Sequence, residues 1–238
     1  MTTKSNSSSK AQPIRHANRG LRVAADMART QLTWAAWFLC FVTLVYVIIE
    51  VNAQNFITLA FQPSKMFMLV IGIVSVSGFL NFYARLGVTR TAYFYGSSLA
   101  AATVALVLMG GVGVLGSLQH WLIPAPEKVS ILGENDSWLL TVLVYMLNAL
   151  VYYLAGYVIG IGFYRFGKFG GMLYIVLALG ILATSEALWD RELKDLINRV
   201  VYIGELPLGV SLLGSLLLIG VALGIIGATM KRVRIKIK

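Results

Sequence analysis

Six apolar runs, at about 31–51, 66–83, 93–119, 138–163, 170–189 and 207–230, are separated by short stretches that hold most of the charge. Runs of this length, as helices rising about 1.5 Å per residue, cross a hydrocarbon core of about 30 Å. In lipid every backbone N–H and C=O needs an internal partner, so spanning segments of this kind are helices. The pattern therefore predicts an all-α polytopic membrane protein with six transmembrane helices. Composition agrees: 58% of the 238 residues are apolar and 13% are charged, about half the charge of a soluble domain.

The positions of the charges predict the topology. With six spans both termini share one side. On that side lie Lys4, Lys10, Arg15, Arg19, Arg22, Arg29, Arg85, Arg90, Arg165, Lys168, Lys231, Arg232, Arg234, Lys236 and Lys238, fifteen of the 20 Lys and Arg residues. Lys65, Lys128, Arg191, Lys194 and Arg199 fall on the other. The positive-inside rule then places both termini in the cytoplasm and the chain in the cell membrane. The net charge of +10 belongs to the gaps between apolar runs, which argues against a nucleic-acid partner and for contact with membrane lipids.

The flanks differ in character. Residues 1–13 are Ser-rich and polar and read as a disordered cytoplasmic tail. Residues 14–30 place Ala17, Leu21, Ala24, Ala28 and Leu32 on one helical face and Arg15, Arg19, Arg22, Asp26 and Arg29 on the other. This is the pattern of an amphipathic helix lying in the membrane interface, ahead of a transmembrane domain at 31–230. Residues 231–238 (KRVRIKIK) form a basic cytoplasmic tail attracted to anionic lipid. On the outer side, residues 190–203 read as an amphipathic helix with Leu193, Leu196, Ile197, Val200 and Val201 on its apolar face.

The residues offer little for catalysis. No phosphate-binding loop, metalloprotease pattern or nucleophile elbow occurs, and the single cysteine, Cys40, lies in an apolar run. No catalytic residue and no metal site is predicted. Polar residues within the spans are few. Thr141, Tyr145, Asn148 and Tyr152 step by four, three and four and share one face. That stripe would line either a translocation path or a subunit seam, or else supply one interhelical hydrogen bond from Asn148. The glycines at 110–116 and the pairs Gly156/Gly160 and Gly220/Gly224 read as helix-packing devices. Glu50 and Glu186 read as interfacial carboxylates at span ends.

Between the second and third runs lies a short basic island, Asn81–Gly96 (NFYARLGVTRTAYFYG). Its core, Arg85-Leu86-Gly87-Val88-Thr89-Arg90, is similar to the "LGV-S/T-R" pattern of small permeases from Gram-positive bacteria. In its whole layout the chain resembles the membrane subunit of an ATP-binding-cassette transporter of the type-2 exporter class. That family has six spans, cytoplasmic termini, an interfacial helix before the first span, a coupling element between spans 2 and 3 and an outer helical segment between spans 5 and 6. The resemblance implies that Arg85–Arg90 docks on a cytoplasmic ATPase. Leu86 and Val88 would give apolar contact, Arg85 and Arg90 charge complementarity, Gly87 a tight turn and Thr89 a helix cap.

The same resemblance implies a chain that is not itself an enzyme and binds no cofactor, with ATP and Mg held by separate ATPase subunits. It implies pairing with a second copy or a similar permease, and export of an amphipathic cargo such as a peptide, an antibiotic or a lipid-like molecule. The competing readings are a non-transport six-span membrane protein (an accessory or sensor protein, or a lipid-modifying enzyme) and a secondary transporter. The last predicts interrupted spans and internal symmetry.

Overall fold

The computed structural model describes residues 12–49, 55–122, 137–189 and 207–231. Among these the chain is wholly helical: α1 (Gln12–Ile49), α2 (Phe56–Val74), a π-helical segment (Ser75–Leu80), α3 (Asn81–Arg85), α4 (Arg90–Leu122), α5 (Trp138–Leu188) and α6 (Leu208–Lys231). Five stretches are long and apolar enough to cross a membrane: Gly20–Ile48, Phe56–Arg85, Arg90–Gln119, Trp138–Leu188 and Leu208–Lys231. The chain is a membrane-embedded helical protein. Outward-facing Trp37, Phe41, Leu44, Leu106, Leu213 and Leu217 give it the apolar surface that acyl chains require.

The longest helix is two arms. A straight helix of 51 residues would run about 77 Å. Gly167 breaks it with φ 72° and ψ −157°, a backbone region open only to glycine. The chain then doubles back: a β-carbon on Gly162 would overlap Tyr174, and one on Gly171 would overlap Phe163. Residues 138–166 and 168–188 thus lie side by side.

Two boundaries differ from expectation. No boundary separates the segment 14–30 from the first apolar run, because α1 continues unbroken through residue 30. No Pro or Gly occurs between residues 21 and 49, and Thr30 and Thr33 each donate a side-chain hydrogen bond to the carbonyl one turn back, on Asp26 and Arg29. Val23, Ala24, Met27, Ala28 and Gln31 are buried by the bundle, whereas Leu21, assigned to the apolar face, is exposed. Arg22, Asp26 and Arg29 face outward as read. The second helix also begins earlier, at Phe56 rather than near 66. Lys65, counted above among loop charges, therefore sits inside a membrane helix.

Close backbone approaches hold the bundle. α1 crosses α4 where Gly96 meets the Gly20 carbonyl and Val23. α2 crosses the first arm of α5 through three glycines: a β-carbon on Gly72 would overlap the Tyr153 carbonyl, one on Gly156 the Leu69 carbonyl, and one on Gly160 would press on Ile73 and Val76. Such approaches supply the dispersion contacts that replace a hydrophobic driving force in lipid. Gly111, Gly113 and Gly116 likewise abut Leu39, Val142 and Ile57, on three different helices. A β-carbon added at Gly220 or Gly224 would meet nothing within 4 Å. The main core runs through Met27, Met68, Leu108, Tyr153, Ile161 and Ile226.

Candidate functional site: a buried ion pair and a capped turn

A charge inside a membrane bundle persists only if it is paired. Lys65 Nζ lies 2.7 Å from Glu186 Oε1, with the side chains 1% and 3% exposed. The Tyr152 hydroxyl donates to the same carboxylate oxygen at 2.6 Å. The rings of Phe61 and Tyr152 lie 4.9 and 5.0 Å from the ammonium, a geometry that adds cation–π attraction. α2, the first arm of α5 and its second arm are thereby joined at one point. One turn away the arms are joined again, where Ser185 donates to Asn148 Oδ1 at 3.2 Å and Asn148 donates back to the Val144 carbonyl at 3.0 Å.

A second polar centre surrounds Ser75, the first residue of the π segment. Gln31 Nε2 donates to Ser75 Oγ at 2.9 Å and to the Tyr153 hydroxyl at 3.2 Å. The Ser75 and Tyr153 hydroxyls are 2.6 Å apart. Tyr93 donates to the Ser75 carbonyl. Ser97 and Tyr157 pair beside them at 3.2 Å. Four helices, α1, α2, α4 and α5, meet at this residue, where the ladder changes from α to π spacing. Breaks of this kind concentrate at functional positions.

Below the π segment, α3 ends in a tight turn. Val88 N–H bonds to the Tyr83 carbonyl at 3.0 Å and Gly87 N–H to the Ala84 carbonyl at 3.1 Å, the paired bonds of a Schellman cap. Gly87 takes φ 73°, the left-handed conformation that the cap requires. Thr89 Oγ1 then accepts from Ala92 N–H at 3.3 Å and caps α4. Leu86 projects from this turn at 63% exposure, and Val88 packs back against the core. Arg90 Nη1 reaches the Lys231 carbonyl at 3.4 Å, and Arg165 Nη1 the Thr229 carbonyl at 3.2 Å. Both arginines thus satisfy carbonyls at the C-terminus of α6, where a cation also complements the helix dipole.

The predicted residues are placed as follows. Thr141, Tyr145, Asn148 and Tyr152 are all buried within the chain. Asn148 makes the interhelical bond that was one of its readings, and Tyr152 joins the ion pair. Glu186, two residues before the end of α5, is buried against Lys65 rather than open at the bundle surface. Arg15 and Arg19 lie in α1. Leu193, Leu196, Ile197, Val200 and Val201 of the outer helix, Glu50, and most of both tails lie outside the described residues. Lys65 and Gln31 escaped the sequence reading. Phe56–Phe61 just before Lys65 is apolar enough to extend the second run backwards, and that was the available signal.

Compared with known proteins, the chain matches no family model, no curated protein and no solved structure.

Proposed function

We propose that this chain is the transmembrane subunit of an exporter powered by separate ATP-hydrolysing subunits, with its capped turn 86–89 as the docking element. One observation carries the reading. A four-residue turn is closed by a backbone cap on the α3 side and by the Thr89 side chain on the α4 side, presents Leu86 outward, and is tied through Arg90 to the end of α6. A push on such a turn moves α3, α4 and α6 together, as coupling to an external ATPase requires.

On this reading the two arms of α5 are separate crossings, which makes six, and both termini and the turn lie in the cytoplasm of a cell-membrane protein. ATP and Mg belong to the partner ATPases. A second copy or a similar permease completes the assembly, and the open Gly220/Gly224 face of α6 offers small residues for such a contact. The scarcity of charge in the spans fits an amphipathic cargo.

The test is co-purification of a P-loop ATPase with the full chain from native membranes. Leu86→Asp should abolish it while leaving the fold intact, since Leu86 is exposed. Cargo export by vesicles that contain this chain and no ATPase would overturn the reading. It would point instead to an ion-coupled carrier working through Lys65 and Glu186.

A further inference from the structure

A groove of about 610 Å³ runs between α1 and the π segment. On the α1 side Asp26, Thr30 and Trp34 stand four residues apart and line it together. On the other side Phe79, Phe82 and Tyr83 do so. The rings form a continuous wall. Trp34 and Phe79 centroids are 5.9 Å apart, Phe79 and Tyr83 6.5 Å, and Tyr83 and Phe82 5.3 Å.

Asp26 is the odd member of this wall. Only Asp26 and Glu186 are acidic among the described residues. Glu186 is neutralised by Lys65, whereas Asp26 has no ion-pair partner among the described residues. A carboxylate over an aromatic wall attracts an organic ammonium, by charge and by cation–π contact. Phe82 precedes Leu86 by four residues, about 6 Å of helix. The groove is thus close to the turn, at the depth of headgroups if the turn meets water. Arg22 and Arg29 flank Asp26, one turn to either side on α1, where a phosphate beside the ammonium would find a cation.

We infer that this groove binds the headgroup of an ammonium-bearing phospholipid, with Asp26 on the ammonium and Trp34 and Phe79 along the chain below it. The site is separate from the capped turn, and the inference does not rest on the function proposed above.

Gly78 provides a clean way to close the groove. A β-carbon there would meet only Val74, at ordinary contact distance, and Gly78 itself lines the groove, so the side chain of Gly78→Leu starts in open space. The experiment is native mass spectrometry of the full chain in detergent with phosphatidylethanolamine, phosphatidylcholine or phosphatidylglycerol of matched acyl chains. The two ammonium lipids should be retained well above phosphatidylglycerol. Asp26→Asn should lower their retention roughly tenfold, the loss expected for one charge-assisted contact, with an unchanged thermal midpoint. Gly78→Leu should lower retention of both ammonium lipids. Equal retention of phosphatidylglycerol by the wild-type chain, or a preference that survives Asp26→Asn, would overturn the assignment and leave an ordinary interfacial aromatic belt.

Discussion

Lys65 and Glu186 are 121 residues apart in the chain and 2.7 Å apart in space. They are the one ion pair among the described residues. Removing one partner leaves an uncompensated charge inside the bundle, which costs roughly 3–5 kcal/mol. Lys65→Met and Glu186→Gln should each lower unfolding stability by about that amount in a denaturing-detergent titration. The double variant Lys65→Met/Glu186→Met should recover most of the loss, because two apolar side chains bury no charge. Single variants that cost under about 1 kcal/mol, as a solvated surface pair does, would show that water reaches the pair.

The centre at Ser75 makes a different prediction. The Tyr153 hydroxyl bridges Gln31 and Ser75. Tyr153→Phe keeps the ring and removes one partner from each of Gln31 and Ser75, which still bond to each other, for about 0.5–1.5 kcal/mol. Gln31→Leu combined with Tyr153→Phe should cost less than the sum of the single changes, since the two side chains share one network. Strict additivity in a double-mutant cycle would show that the network is not cooperative.

Glycine substitutions should separate inner from outer faces. Gly72→Ala and Gly156→Ala each drive a methyl group into a facing backbone carbonyl, and should cost at least about 1–3 kcal/mol. Gly220→Ala and Gly224→Ala meet nothing within 4 Å and should change the stability of an isolated chain by no more than about 0.5 kcal/mol. Thermal melts in detergent suffice for the comparison. Similar effects at all four sites would contradict the packing described.

Two further glycines are constrained by conformation rather than space. Gly87 and Gly167 both have positive φ and nothing within 4 Å of an added β-carbon. Gly87→Ala should cost about 1–2 kcal/mol, and Gly87→Asn less, since Asn visits the left-handed region more readily. Gly167→Ala should cost about 1–3 kcal/mol in a region where even Asn is strained, so Gly167→Asn should give no relief. Equal rescue by Asn at both positions would mean that residue 167 is not held at the bend.

The elements that could be read from the sequence were those specified by local chemistry. Apolar runs gave the helices, Gly87 and Thr89 gave the turn and its cap, and the glycine pair in the first arm of α5 gave its packing. Failures came where distant residues decide. Lys65 argues locally for a loop, and its charge counts there with the loop charges; Pro63, two residues before it, lies inside the same helix. Ser64 donates to the Ala60 carbonyl and Glu186 neutralises Lys65, so the helix runs through them. Gln119 of α4 accepts the N–H of Phe56 and settles where that helix begins. The partner of Glu186 is hidden from the sequence because Lys65 lies 121 residues away. The π segment has no local signature, since its stabilising groups come from α1, α4 and α5.

The separation of Lys65 from Glu186 also bears on how the protein is made. At about 5–20 residues per second, synthesis of the intervening chain takes roughly 6–24 s. Throughout that interval the nascent second helix carries a lysine with no carboxylate to meet it. Until the returning arm of α5 emerges, that helix carries the cost of an unpaired lysine in lipid, about 2.5–3.5 kcal/mol at a helix centre. Pairing with Glu186 removes that cost, so the last part of α5 to be made is also the part that neutralises the second helix.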